Sequence, residues 1–164
     1  MVKRFGKAGI VVPVIFLIAA CCGCKRLAAY SYEFRYAEEE IATVQICALD
    51  SKETTSLETF IPLYTLSKED AHQLLVDVAA LECRQWAYPP VDQFYGGVVI
   101  CVTYANGEGE IIGIENCAYF SEDKTLSIRG DYFDISDIVG VIAKYGDSNV
   151  LAKYTPYFED GYFD

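Results

Sequence analysis

The sequence predicts an α+β domain in which an antiparallel sheet carries two helices on one face, in the order ββαβββα. Two patterns indicate this class. Short, β-rich apolar segments flank an Asn106-Gly107 turn, and these two residues accept the positive φ angles of a tight hairpin. Two other segments repeat apolar residues at helical spacing, and each follows a residue that caps helices well, Ser67 or Asp134.

The first half of the domain is predicted to contain two strands and a helix. Residues 41–49 are rich in β-formers and alternate in polarity, which is typical of a strand. Residues 57–66 predict a second strand, and Pro62 places it at an edge because proline cannot donate to a neighbouring strand. After Ser67, apolar residues recur over 71–81 at the spacing of one helix face.

The second half is predicted to be a three-stranded meander followed by a helix. Residues 98–104 carry the strongest strand pattern, and the hairpin turn leads to returning strands at 111–120 and 125–132. Asp134 caps the second helix, whose apolar face continues until Gly146, a natural helix stop. Two amphipathic helices of this kind can both be buried on one face of the sheet.

The charge of the chain limits its partners. The 164 residues include 24 Asp and Glu against 13 Lys and Arg, a formal net charge of -11. Without residues 1–20, which hold three bases and no acid, 24 acids stand against 10 bases, a net charge of -14. Because such a surface repels phosphates, we expect no nucleic-acid binding and a basic partner instead. The same charge would also serve solubility alone.

The first twenty residues have the layout of a secretory signal. Lys3, Arg4 and Lys7 precede an apolar run from Ala8 to Cys24. A helix of that length spans about 25 Å, which is short of the ~30 Å hydrocarbon core of a bilayer. A cleaved signal peptide is therefore favoured, and an uncleaved transmembrane anchor is the alternative.

The end of the apolar run resembles the lipobox of bacterial lipoproteins. Its residues are Ile18-Ala19-Ala20-Cys21, an aliphatic residue, two small residues and a cysteine. The resemblance implies cleavage before Cys21 and a lipid on its sulfur, a diacylglycerol with acyl chains such as palmitate. It also implies a place on the extracytoplasmic face of the cell membrane. The rest of the chain resembles uncharacterised small lipoproteins of Gram-positive bacteria only in size and layout.

These observations divide the chain into four parts. Residues 1–20 are the predicted signal peptide, and residues 21–36 form a tether. Residues 37–146 form the single α+β domain, and residues 147–164 form an acidic, aromatic tail.

Four cysteines fall in the predicted domain, namely Cys47, Cys83, Cys101 and Cys117. An even number in an exported chain favours disulfides, whereas positions inside predicted strands or at a helix end favour buried free thiols. Cys101 and Cys117 are the candidate pair because the hairpin brings their strands together, although they are not directly opposite. No Cys-x-x-Cys or Cys/His spacing points to zinc, and no cofactor is expected.

The sequence contains no recognisable catalytic constellation. His72 is the single histidine, and its position off the apolar face of the first helix is typical of a solvated surface residue. A hydrolase of the serine or cysteine triad type would lack a positioned base, and no Gly-x-Ser-x-Gly motif is present. We therefore expect a protein that is not an enzyme.

Aromatic residues in a predicted loop and in the tail form the candidate binding surface, because aromatic side chains are favoured at binding hot spots. They are Trp86, Tyr88, Phe94, Tyr95, Tyr157 and Phe158. The alternative is that they cover one end of the sheet and complete the domain. The leading hypothesis is a lipid-anchored binding or accessory module for a protein or an envelope component. The alternatives are a carboxylate- or metal-dependent envelope hydrolase and an accessory subunit of a membrane complex.

The intact mass of the membrane-extracted protein tests the lipobox. We expect loss of residues 1–20 and gain of a diacylglycerol, because cleavage before Cys21 follows attachment of the lipid. A Cys21→Ala variant should show neither change, whereas the neighbouring Cys22→Ala variant should show both. A full-length, unmodified wild-type mass would contradict lipid attachment and favour an uncleaved anchor.

Overall fold

The structure is a computed structural model that describes residues 29–49, 60–85 and 97–163. It confirms the predicted α+β class. The strands are β1 Tyr30–Ser31, β2 Ile41–Leu49, β3 Phe60–Thr65, β4 Glu82–Gln85, β5 Val98–Tyr104, β6 Gly109–Gly113, β7 Cys117–Phe120, β8 Leu126–Arg129 and β9 Asp131–Phe133. The helices are α1 Lys68–Ala79, α2 Ile135–Ile142 and α3 Ser148–Leu151, with 3-10 turns at Glu38–Glu40 and Pro156–Phe158.

The strands form two antiparallel sheets. The large sheet has six strands in the order β3-β2-β5-β6-β7-β8, and the small sheet has three in the order β1-β4-β9. The long strands β2 and β5 pair along nearly their whole length at the centre of the large sheet. The prediction of a single sheet is therefore correct for the meander. The strands β1, β4 and β9 form the small sheet, which the sequence did not predict.

Both predicted helices begin at their predicted caps. The Ser67 side chain accepts from the backbone N–H of Asp70, and the Asp134 side chain accepts from that of Ser136. The two helices pack against one face of the large sheet, in a main core that the small sheet also joins. Buried members from the helices and the large sheet are Leu74, Val78, Ile138, Ile142, Val44, Ile46, Ile100, Val102 and Ile112.

The opposite face of the large sheet carries a second apolar cluster. It includes Val99, Ile111, Ala118 and Phe120, none of which is more than 1% exposed. Both faces of the sheet are therefore buried at β5, which explains why β5 is apolar at nearly every position rather than alternating.

Two predicted strands are each divided in the structure. The segment predicted as one strand over 111–120 reverses between β6 and β7, where the Gly113 N–H donates to the Asn116 carbonyl oxygen at 2.9 Å. The segment predicted over 125–132 breaks at Gly130, so that β8 ends the large sheet and β9 joins the small one. Each break involves few residues and is flanked by apolar ones, so the strand pattern of the sequence continues across it.

The predicted boundaries at 36 and 146 are corrected by burial. In the predicted tether, β1 pairs with β4 and Tyr32 is only 2% exposed. In the predicted tail, Leu151 and Phe158 are buried in the main core. The described parts of both segments therefore belong to the domain, because their apolar side chains complete its core. Within the described ranges, no helix combines the length and apolarity needed to cross a bilayer.

The candidate disulfide is also corrected. Cys101 and Cys117 are buried free thiols on β5 and β7, with β6 between them. Cys101 lies in the second cluster and Cys117 in the main core, so the two side chains point to opposite faces of the sheet. Burial raises the pKa of Cys83 and Cys117, and contact with Cys47 together with burial raises that of Cys101. All three thiols therefore stay protonated at neutral pH.

Alanine at two glycines should change stability in opposite directions. A Cβ on Gly109 would lie 2.1 Å from the Val102 carbonyl oxygen and 2.2 Å from the Phe120 ring. Gly109→Ala should therefore cost about 1–3 kcal/mol in the free energy of unfolding. A Cβ on Gly140, at an exposed position of helix α2, meets nothing within 4 Å, so Gly140→Ala should gain about 1 kcal/mol. Urea unfolding of both variants checks this, and a change of equal sign would contradict it.

Candidate functional site

Of the residues predicted to form a binding surface, some lie outside the described part of the chain, and the others differ in how deeply they are buried. Trp86, Tyr88, Phe94 and Tyr95 lie outside the described residues, as does the predicted lipidation residue Cys21. Phe158 is only 6% exposed and packs in the main core, so its prediction as a surface residue is wrong.

Tyr157 is half-buried beside Phe158. Its hydroxyl donates to Glu115 Oε1 at 2.9 Å, and this hydrogen bond, with partial burial, raises the pKa of Tyr157 to about 12. The Tyr157 ring contacts the rings of Tyr162 and Phe163, so the tail retains an aromatic surface at these residues.

A groove that the sequence did not predict lies between α1 and the beginning of β2. It has two adjoining parts, with volumes of about 310 Å³ and 180 Å³. Four residues line both parts, namely Glu38, Ile41, His72 and Leu75. A concave site of this size with a few polar groups at its edge is the usual form of a ligand site.

The groove exists because β3 leaves β2 early. The two strands pair only from Gln45 to Leu49 along β2. Beyond that point the Leu66 N–H donates to the Val44 carbonyl oxygen at 3.0 Å, and the chain turns into α1 at Ser67. A helix therefore runs beside residues 41–44 of β2 in place of a strand, and the wider spacing leaves the groove open.

One part of the groove is mostly apolar. Phe34, Ile41, Leu75 and Ala79 line it, together with Val76, which is 48% exposed. Exposed apolar surface that is gathered in a concave site favours a ligand with apolar groups of its own.

The rim of the groove is acidic. Glu38 and Glu39 line it from the 3-10 turn. Glu69 and Asp70 do not line the groove themselves, but they lie in the first turn of α1 between Lys68 and Ala71, which do, and the helix dipole favours them there. Lys68 offsets one of these charges. The net charge around the groove is negative, so a cationic ligand is favoured over an anionic one.

His72 forms a pair with Glu38 at this rim. Its Nδ1 atom lies 2.7 Å from Glu38 Oε1, and the two side chains are 55% and 58% exposed. Because a carboxylate only accepts, Nδ1 carries the hydrogen, and Glu38 orients the ring. No pattern in the sequence marks this pair, because its members are 34 residues apart and His72 has the spacing of an ordinary surface position.

The pair does not form part of a visible nucleophilic site. Ser67 supplies a hydroxyl on the groove wall, but that hydroxyl donates to Asp70 Oδ2 at 2.7 Å while it caps the helix. A nucleophile needs its proton directed at a base, and here the proton is directed at Asp70. The Ser67 hydroxyl is thus engaged in capping α1 rather than directed at His72.

Glu110 is a second candidate for carboxylate chemistry, and it is completely buried on β6. The Tyr32 hydroxyl donates to its Oε2 atom at 2.6 Å, and the Arg35 backbone N–H donates to its Oε1 atom at 2.5 Å. The Tyr104 hydroxyl also donates to Oε1, and Arg129 Nη1 lies 3.6 Å from Oε2. These partners provide the compensation that a buried carboxylate requires.

Asp131 extends the same network. It is 2% exposed, forms an ion pair with the Arg129 guanidinium and accepts from the Tyr30 hydroxyl. The Arg129 guanidinium also lies over the Tyr119 ring, 4.5 Å from its centroid. Burial raises the pKa of Tyr32 far above its usual value, and the Glu110 carboxylate acts in the same direction.

This network stabilises the fold and leaves no room for a substrate at Glu110. Its carboxylate is enclosed by its own chain, and all of its close partners are already engaged. Among the residues that the structure describes, no three Asp, Glu, His or Cys side chains are grouped so as to hold a metal ion.

Comparison of the chain with protein-family models, with curated proteins and with solved structures gives no match. Function must therefore be inferred from the groove and its surroundings.

Removal of one hydroxyl from the buried network should lower the free energy of unfolding. Tyr32→Phe deletes a donor to Glu110 and leaves a buried charge partly uncompensated, so the free energy of unfolding should fall by about 1–3 kcal/mol. Tyr154→Phe, at a side chain that is 37% exposed, should change it by less than about 0.5 kcal/mol. Urea unfolding at neutral pH measures both values. Equal losses in the two variants would contradict a special role for the Tyr32 hydroxyl.

Proposed function

We propose that the chain is a membrane-anchored, extracytoplasmic lipoprotein that acts as a non-enzymatic binding module. Its groove holds a basic segment of a protein partner. The observation that carries this proposal is that one groove combines an apolar wall at Ile41, Leu75 and Val76 with an acidic rim at Glu38 and Glu39. The anchor is proposed from the lipobox resemblance at Ile18-Ala19-Ala20-Cys21.

The partner is proposed to be a peptide segment because of the shape of the groove. The groove consists of two adjoining parts between a helix and a strand, and such an open cleft can accept a chain, whereas a small molecule is usually surrounded on most sides. Apolar side chains of the segment would contact Val76 and Leu75, and its basic side chains would meet the rim. The net charge of the chain, -11, favours the approach of a basic partner from a distance.

A carboxylate-dependent envelope hydrolase is the second candidate, and the His72–Glu38 pair is the observation in its favour. An imidazole oriented by a carboxylate is a suitable general base. Binding is preferred because the Ser67 hydroxyl is used as a helix cap and Glu110 is enclosed. An accessory subunit of a membrane complex would use the same groove, with the basic segment supplied by an integral partner.

Binding of two designed peptides to the full chain tests the groove. We expect saturable binding of a peptide of alternating lysine and leucine, and much weaker binding of its glutamate–leucine counterpart, because the rim is acidic. Val76→Ser should weaken the lysine peptide about three- to tenfold through lost apolar contact. A Glu38→Gln, Glu39→Gln double variant should weaken it a few-fold at low salt, and less at high salt.

Val150→Ser provides the matched control. Val150 is a partly exposed valine on α3, outside the groove, so this variant should bind the lysine peptide like the wild type. Fluorescence anisotropy of labelled peptides measures all affinities. Equal affinity for the two peptides, or equal weakening by Val76→Ser and Val150→Ser, would refute the groove as the binding site.

A further inference from the structure

Three aromatic rings in the tail lie against one another on the surface. The rings of Tyr157 and Phe163 are nearly parallel, with an interplanar angle of 21° and centroids 6.5 Å apart. The Tyr162 ring is nearly perpendicular to both, at 81° and 80°, with centroids 5.2 Å and 5.0 Å away. We call these three residues the ring cluster. The three rings together form one continuous aromatic surface.

The backbone holds the ring cluster together. The 3-10 turn at Pro156–Phe158 is fixed to the core by Phe158, and the Tyr162 N–H donates to the Glu159 carbonyl oxygen at 3.2 Å. Gly161 has a φ of +77°, a value that favours glycine, and this reversal returns Tyr162 and Phe163 toward Tyr157.

The ring cluster is exposed although its members are large and apolar. Tyr162 is 47% exposed and Phe163 is 49% exposed. Arginine or lysine lies over the rings of Tyr32, Tyr36, Tyr119 and Phe120, whereas no arginine or lysine of the described residues lies over the ring cluster. The exposed parts of Tyr162 and Phe163 are therefore not occupied by a cation from the described residues.

A carboxylate stands beside the rings. Glu115 Oε1 accepts the Tyr157 hydroxyl at 2.9 Å, and the Glu115 side chain is exposed. Glu159 and Asp160 are exposed in the turn that joins Tyr157 to Tyr162. Aromatic faces attract cations through the ring quadrupole, and adjacent carboxylates add to that attraction. The same surface is unfavourable for anions.

We propose that the ring cluster and Glu115 form a binding site for an alkylammonium group, such as a quaternary ammonium headgroup or the side-chain amine of lysine. The rings contact the methyl or methylene groups of the ligand, and Glu115 supplies the counter-charge. This site does not depend on the groove or on the basic segment proposed to bind there. It lies on different elements, and either site can fail without the other.

Choline and its neutral isostere 3,3-dimethylbutan-1-ol provide the test, since they share one shape and differ in charge. Each is titrated into the full chain, and proton NMR follows the methyl groups of the ligand. We expect saturable binding of choline with upfield shifts from the rings, and an affinity about two- to thirtyfold higher than that of the alcohol. Butylammonium, as a mimic of lysine, shows by its relative affinity whether a headgroup or a lysine is the better ligand.

Two variants locate the site. Tyr162→Leu and Glu115→Gln should each weaken choline binding several-fold, whereas Tyr154→Leu, at an aromatic residue outside the ring cluster, should not. All three positions are exposed, and far-UV circular dichroism verifies that the variants are folded. Equal affinity for choline and the alcohol, the absence of saturation, or undiminished binding in Tyr162→Leu would overturn the proposal.

Discussion

The buried carboxylate of Glu110 is the constraint on which much of the structure depends. A charge in the core is tolerated only when donors surround it, and two of its donors, the Tyr32 hydroxyl and the Arg35 N–H, come from the segment before β2. The path of that segment across the sheet is therefore fixed. Phe34 lies between Tyr32 and Arg35 in the chain, Tyr36 follows Arg35, and both Phe34 and Tyr36 line the groove. The wall of the proposed binding site is thus set by an electrostatic requirement in the core.

The sequence predicted those parts of the fold that local rules determine. Ser67 and Asp134 cap α1 and α2 where expected, and β2 and β5 follow from their β-forming residues. It did not predict β1 or β4, because each has few residues and is stabilised only by partners distant in the chain. Glu110 lies between the predicted hairpin turn and the strand predicted over 111–120, and only the three-dimensional fold surrounds it with tyrosines and arginine.

The candidate site was less predictable than the fold for the same reason. The groove results from the point at which β3 separates from β2, and no residue pattern marks that point. The His72–Glu38 pair joins the beginning of β2 to α1 across 34 residues. The tail was more accessible to sequence reasoning, because its aromatic residues are close together in the chain. Even there, only the structure separates Phe158 in the core from Tyr162 and Phe163 on the surface.

With the proposed lipid on Cys21, the position of β1 at Tyr30 would limit how far the domain can move from a membrane. Eight residues lie between Cys21 and Tyr30, and a fully extended chain over these nine steps reaches about 30 Å. A lipid on Cys21 would keep the first strand within that distance of the bilayer surface. Such a tether would favour partners that stand at the membrane itself, such as external loops of integral proteins or polymers attached to lipid, over partners deep in a cell wall.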